Sequence, residues 1–356
     1  MGKRPLVIFL IGFFLAGCGK SATAVSTEPA VVPPTATLVP TSTPTATSTS
    51  VPTPVETAIP FGKERTRILE IMSGYGVVDW GKLSDSYWNT IGGQIERYGV
   101  ARRILALELH GDNYYMYDGG YAMTPEAFES QMRWLLEHDY HFVTGPELVG
   151  HVEGWLELPA RSVILTTDSG NTSMGSLPRM IQLSHQLEEE FGFAPHFLSF
   201  IWTNRMGNDE STQCVNDRCW DTFREALESG YFSFGTHTES HADFGEMTYK
   251  AGLEDLLQSR REIQENLGVV TYGISWPFES CPAWMDRLPE SGFVFAFGGW
   301  SRGLAQCYTY KEDNLAMCLP RLFPPNPDGT SGRPNGRTLV EMLGDAEESY
   351  QELPAP

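Results

Sequence analysis

The sequence predicts an α/β fold, and three observations carry that expectation. Short β-branched and apolar runs recur at Arg103–Leu109, His141–Thr144, Ser162–Thr167, His196–Ile201, Phe232–Thr236, Thr271–Trp276, Phe293–Phe297 and Cys318–Phe323. Amphipathic stretches separate them, at Pro125–His138, Ser176–Phe191, Trp220–Ser229, Met247–Leu267 and Pro282–Ser291. A helix between two strands returns the chain to the same end of the sheet, so the alternation predicts parallel pairing in a sheet or barrel. Hydrophobic residues make up 41% of the 356, enough to fill a large core.

The elements follow in chain order. Lys3 and Arg4 give a positive start, Leu6–Leu15 form an apolar run too short to span a bilayer, and Leu15-Ala16-Gly17-Cys18 closes it. This ending resembles the lipobox of bacterial lipoproteins, which implies a signal peptide over residues 1–17 and lipidation of Cys18. Several acyl chains on one residue anchor stably where one chain does not. The expectation is a lipid-anchored protein outside the cytoplasm. Residues 18–60 hold almost only Ser, Thr, Pro, Ala and Val after the first few positions, and prolines this dense remove backbone donors and favour extended polyproline II. They read as a stalk. Residues 61–100 read as an N-terminal helical extension covering the barrel, and residues 101–356 as the main domain. The first helix of that domain opens with Thr124-Pro125-Glu126-Ala127, a cap residue followed by proline at the first helical position.

Charge and cysteine count narrow the partners. With 25 Lys and Arg against 45 Asp and Glu, the formal net charge is -20, which repels phosphate backbones, so no nucleic-acid partner is expected. Five of the six cysteines follow residue 60. In an oxidising compartment the near pairs Cys214/Cys219 and Cys307/Cys318 are plausible disulfides, leaving Cys281 over. No cysteine spacing matches a structural zinc site.

Chemistry concentrates at strand ends, where α/β folds build their sites. Ser162–Thr167 runs into Asp168-Ser169-Gly170, a carboxylate followed by a turn glycine, although such an Asp can also cap the next turn. Phe234-Gly235-Thr236-His237-Thr238-Glu239-Ser240-His241 ends another strand with two imidazoles four apart, which on one helical turn face the same point and suit a divalent metal. Further strands end in Ile274-Ser275-Trp276-Pro277-Phe278-Glu279 and Leu319-Pro320-Arg321-Leu322.

The ordered set Thr-Thr-Asp-Ser-Gly, His-Thr-Glu-Ser-His, Ser-Trp-Pro-Phe and Leu-Pro-Arg-Leu resembles the polysaccharide deacetylases of carbohydrate esterase family 4, whose motifs read T-F-D-D-G, H-[ST]-x-x-H and, in one branch, [AS]-Y-P-[FY]-G. Leu107-Glu108-Leu109-His110, Thr124–Met132 and Leu158–Val163 are similar to the lead-in of the poly-N-acetylglucosamine deacetylase branch. The resemblance covers about Arg103 to Pro325 and implies a distorted, incomplete (β/α) barrel of about seven strands.

It further implies Asp168 as catalytic base, Arg321 as its catalytic partner holding it ionised, and His237, His241 and position 169 as ligands of a divalent metal, zinc being the expected ion. It implies an oxyanion donor in the backbone N–H near Phe278. Trp276, Pro277, Phe278 and Trp300 are the expected substrate-binding residues, with Tyr308 a further aromatic. Three departures stand out. Ser169 replaces the family's metal-binding Asp, and a hydroxyl is a poorer ligand than a carboxylate. No His follows His241, so the family's late general acid has no counterpart. Glu279 stands where the branch has Gly. The resulting expectation is a metal-dependent hydrolase removing acetyl groups from N- or O-acetylated cell-envelope or extracellular polysaccharide. A catalytically degenerate, membrane-tethered glycan-binding protein is the alternative, and a solute-binding lipoprotein accounts for anchor and stalk but not for the motifs.

Overall fold

Strands β1 (Leu105–Glu108), β2 (His141–Phe142), β3 (Ser162–Ser169), β4 (Phe197–Ile201), β5 (Phe232–Thr236), β6 (Gly273–Ser275) and β7 (Phe295–Phe297) form one parallel sheet ordered β1-β3-β4-β5-β6-β7, with β2 paired to the start of β3. The computed structural model describes residues 85–101, 104–109, 125–154, 156–169, 177–206, 218–298, 315–322, 339–341 and 343. The signal peptide, the stalk, Cys18, Cys214, Trp300, Cys307 and Tyr308 lie outside these, as does the side chain of Ser169.

The helices are α1 (Asp85–Tyr98), α2 (Pro125–Glu137), α3 (Gly145–Glu153), α4 (Leu177–Phe191), α5 (Arg218–Ser229) and α6 (Tyr249–Leu267). Their boundaries follow local chemistry. Helix α2 begins on Pro125, whose missing N–H costs nothing in a first turn. Thr144 caps α3 in a reciprocal capping box with Glu147, and Thr248 caps α6 before Gly268 ends it in the left-handed region. Among the described residues none of these helices is long and apolar enough to cross a membrane.

Both faces of the sheet are buried, and period-two alternation sorts its side chains. Leu105, Leu107, Val163, Leu165, Phe197, Phe232 and Phe234 belong to a core shared with α2, α4 and α5. Ile104, Ala106, Ile164, Leu198, Phe200, Phe295 and Phe297 form a second core on the other face. There Gly235 leaves room for the Phe200 ring, which a Cβ would strike.

The segment 319–322 spans from the last strand to the first. Leu319 makes a parallel bridge to Phe297 of β7, and Leu322 one to Leu107 of β1. The ladder is carried by Leu319 N donating to Ala296 O at 2.7 Å and Glu108 N donating to Leu322 O at 2.9 Å. This is the distorted, incomplete (β/α) barrel of about seven strands that the motifs implied.

Several sequence expectations change. The run Cys318–Phe323 is reduced to two isolated bridges, because Pro320 lacks the N–H that a continuous ladder requires. Pro282–Ser291 becomes a 3₁₀ segment over Met285–Ser291, with Pro289 inside it blocking an α-helix. Cys318 pairs with Cys281, the residue expected to be left over, at a Cα–Cα distance of 5.9 Å. Spacing along the chain pointed to Cys307, whereas the fold sets the turn after β6 beside the bridging segment. Cys219 is also disulfide-bonded. Helix α1 is held by Arg97 and Tyr98, which donate to the Asp139 carboxylate at 2.7 and 2.6 Å in the turn after α2.

Candidate active site

The alternation that fills the second core also builds the site. Continuing the even-numbered positions of β1 and β3 past Ile104, Ala106 and Ile164 brings Glu108, Thr166 and Asp168 to the same face at the carboxyl ends of the strands. Strand β3 continues through Asp168 and Ser169, which pair with Phe200 and Ile201 of β4. Asp168 therefore lies within the strand, which runs two residues beyond the Thr167 limit expected from the sequence. Register on β4 fixes its backbone.

Arg321 enters from the bridging segment, fully buried in its side chain, and meets three carboxylates. Its Nη1 and Nη2 donate to the two oxygens of Asp168, each at 2.8 Å. Nη2 also donates to Glu279 Oε1 at 2.5 Å and lies 3.2 Å from Glu108 Oε1, while Nη1 lies 3.4 Å from Thr166 Oγ1. Burial alone lowers a guanidinium pKa, yet Asp168, Glu108 and Glu279 together hold that of Arg321 well above its ordinary value. Burial conversely pushes the Glu108 carboxyl well above the usual carboxylate range, opposed by Arg321 and reinforced by Glu279 and Asp168.

His237 follows β5 directly. Its Nδ1 sits 2.9 Å from the carbonyl of Ser275 on β6, and its Nε2 lies 3.9 Å from Asp168 Oδ2. Burial lowers its pKa to about 4, so the imidazole is neutral near pH 7. His241 meets it edge-on with ring centroids 4.7 Å apart. The two do not share a helical turn, contrary to the spacing argument. Thr238 and His241 adopt left-handed backbone conformations, φ 72° and 55°. The bend is held by α6, where Asp255 accepts from the amides of Glu239 and Ser240, and by Thr238 Oγ1, which accepts from the His241 amide. His241 is flanked by Trp202, at 4.2 Å between centroids, and by Phe278 at 4.9 Å.

The expected sugar-binding aromatics divide. Trp276 is fully buried and its indole N–H donates to Met317 O, so it is a core residue and offers no face to a sugar. Pro277 is buried with it. Phe278 is 61% exposed beside His241 and suits a stacking surface. Phe278 and Glu279 both have positive φ, 58° and 57°, a conformation that costs a non-glycine residue about 1–2 kcal/mol.

Two donor sets are candidates for a cation. Glu108, Asp168 and Glu279 cluster closely enough to hold one. Arg321 already stands among them as the neutralising cation, so a second positive charge there is disfavoured. The imidazoles fit better: both converge on one region, and His237 is neutral with one nitrogen anchored on a carbonyl, the state and support that a ligating His requires. Trp202 was not singled out from the sequence, and Glu108 entered only within the Leu107–His110 run, without a role of its own. Their signals, an acid inside an apolar strand and a Trp just past a strand end, are too common to be read without the fold.

Residues 157–288 match the family model described as polysaccharide deacetylase. No curated protein matches the chain by sequence. Among solved structures, a polysaccharide deacetylase from Bacillus cereus superposes with a TM-score of 0.54 at 17% identity, covering 69% of this chain and 70% of that one. IcaB from Ammonifex degensii gives a TM-score of 0.51 at 19% identity, covering 69% of this chain and 98% of that one. The Streptococcus pyogenes deacetylase PplD in complex with acetate gives 0.51 at 14% identity, covering 68% and 98%. At these identities the superpositions establish the fold.

Proposed function

We propose that this chain, whose residues 157–288 match the polysaccharide deacetylase family model, removes acetyl groups from an N- or O-acetylated cell-envelope or extracellular polysaccharide. The observation that carries the reading is Asp168, held by both oxygens on Arg321 and placed 3.9 Å from His237 at the carboxyl ends of β3 and β5, the two strands that flank β4.

The residues divide the work. The guanidinium pairs with the carboxylate form of Asp168, which accepts the proton of the attacking water. His237, His241 and position 169 are the residues proposed to hold a divalent ion, zinc by preference. Such an ion supplies Lewis acidity toward the acetyl carbonyl and acidifies water. The backbone N–H near Phe278 is proposed as an oxyanion donor and the exposed Phe278 ring as the surface on which a sugar stacks. Cys18 is proposed to carry the lipid that tethers the protein outside the cytoplasm, with the stalk setting its reach.

Ser169 favours a second reading, a degenerate deacetylase that binds glycan without cleaving it. One experiment separates the two: zinc content of the purified protein, followed by acetate release from chitin oligomers and acetylated polyglucosamine with and without a chelator. Stoichiometric zinc and chelator-sensitive release support hydrolysis. Glycan binding without zinc or release overturns it. Separately, Cys18→Ser is expected to release the protein from the membrane fraction, and an unmodified mature N-terminus by mass spectrometry contradicts the anchor.

A further inference from the structure

Arg321 is placed by more than its partner Asp168. Its Nε has no hydrogen-bond partner among the described residues, so the two Nη groups set the orientation of the guanidinium. Two of their bonds go to Asp168, and the shortest, 2.5 Å, goes to Glu279. Glu279 lies on the turn after β6, in a backbone conformation that glycine adopts freely and glutamate does not. Two residues on, Cys281 is bonded to Cys318, three residues before Arg321. The turn that carries the carboxylate and the segment that carries the guanidinium are thus joined twice, once by an ion pair and once covalently.

We propose that Glu279 is a positioning residue which, fixed by the Cys281–Cys318 disulfide, clamps Arg321 in the plane that presents Asp168 to His237. A carboxylate kept in a strained turn where glycine fits better is explained by what it holds. Asp168 holds one edge of the guanidinium, Thr166 and Glu108 add only the longer contacts of 3.4 and 3.2 Å, and the short contact on Nη2 from Glu279, on a separate segment, fixes its plane.

Only the kinetic arm of the test rests on the deacetylase reading. The variants are Glu279→Gly, Glu279→Gln and Cys281→Ser/Cys318→Ser. The first readout is the exchange rate of the two Nη groups of Arg321, by NMR on arginine-labelled protein, with Arg321→Lys used to assign the signal. Loss of one charged hydrogen bond is expected to speed this exchange about 10-fold in Glu279→Gly. Glu279→Gln, whose amide oxygen still accepts from Nη2, keeps it slow. Glu279→Gly is expected to melt no lower than the wild type, because glycine relieves the positive φ. The double cysteine variant is expected to speed exchange while lowering the melting temperature.

The second readout is turnover, where Glu279→Gly is expected to lose about 10-fold in kcat at unchanged KM and Glu279→Gln to retain most of it. Exchange as slow in Glu279→Gly as in the wild type overturns the clamp, as does wild-type kcat in Glu279→Gly, or Glu279→Gln failing as badly as Glu279→Gly. A wild type without turnover overturns the deacetylase reading instead, and the exchange rates then decide the clamp.

Discussion

Arg321 grips Asp168 through both carboxylate oxygens across 153 residues of sequence, at 2.8 Å each. The pair joins the segment that bridges the sheet edges to the third strand, in a place where Glu108 and Glu279 add two further acids. Removing the cation leaves buried carboxylates without their counter-charge, and breaking a buried pair from one side is costly. Arg321→Met is therefore expected to lose about 3–5 kcal/mol of unfolding free energy. Denaturant unfolding checks this, and a loss below about 1 kcal/mol, the value of an exposed ion pair, contradicts the burial argument.

Acid stability is expected to depend on the opposite end of the strands. His196, before β4, has its Nε2 2.7 Å from Ser233 Oγ, and burial lowers its pKa to about 3, with nearby His141 adding to the effect. The folded value lies below the ordinary 6.5, so between these limits the unfolded chain binds the extra proton. The contribution is complete above pH 6.5 and is lost as pH falls toward 3, at no more than about 1.4 kcal/mol per pH unit. Glu147, raised to about 8 by burial, acts in the reverse sense over its own range. Comparing wild type with His196→Asn cancels that term. Urea unfolding at pH 6.5 and 4.5 is expected to show a smaller drop in the variant, and equal drops contradict a neutral buried His196.

Much of this arrangement is legible in the sequence. The strands over Ser162–Thr167 and Phe232–Thr236 are continuous apolar runs bounded by polar residues, and the structure begins and ends them within two residues of those limits. Asp168, His237 and Arg321 stand out because they end such runs. Other features needed tertiary context. The partner of Cys281 depends on which loops meet at the barrel mouth. The convergence of His237 and His241 depends on two left-handed residues and on amides captured by Asp255 from α6. Trp276 reads as a surface aromatic at a strand end, and only the packing of Phe244, Phe293 and Met317 around it shows that it is core.

The metal site is expected to be limited by Ser169. A carboxylate there adds a charged oxygen donor to the two imidazoles, so Ser169→Asp is expected to raise zinc affinity about 10- to 100-fold by isothermal titration calorimetry. His237→Ala is expected to abolish binding. Unchanged affinity in Ser169→Asp means that position 169 does not face the imidazoles.

The most direct measurement is acetate released from acetylated polyglucosamine by zinc-loaded wild-type protein and by Asp168→Asn. The asparagine is nearly isosteric and keeps an oxygen for Arg321, so the fold and the imidazoles persist while the base is lost. The account predicts release by the wild type and a drop of about 10²- to 10⁴-fold in the variant, with zinc still bound. Equal release by the two proteins, or none by the wild type, contradicts it.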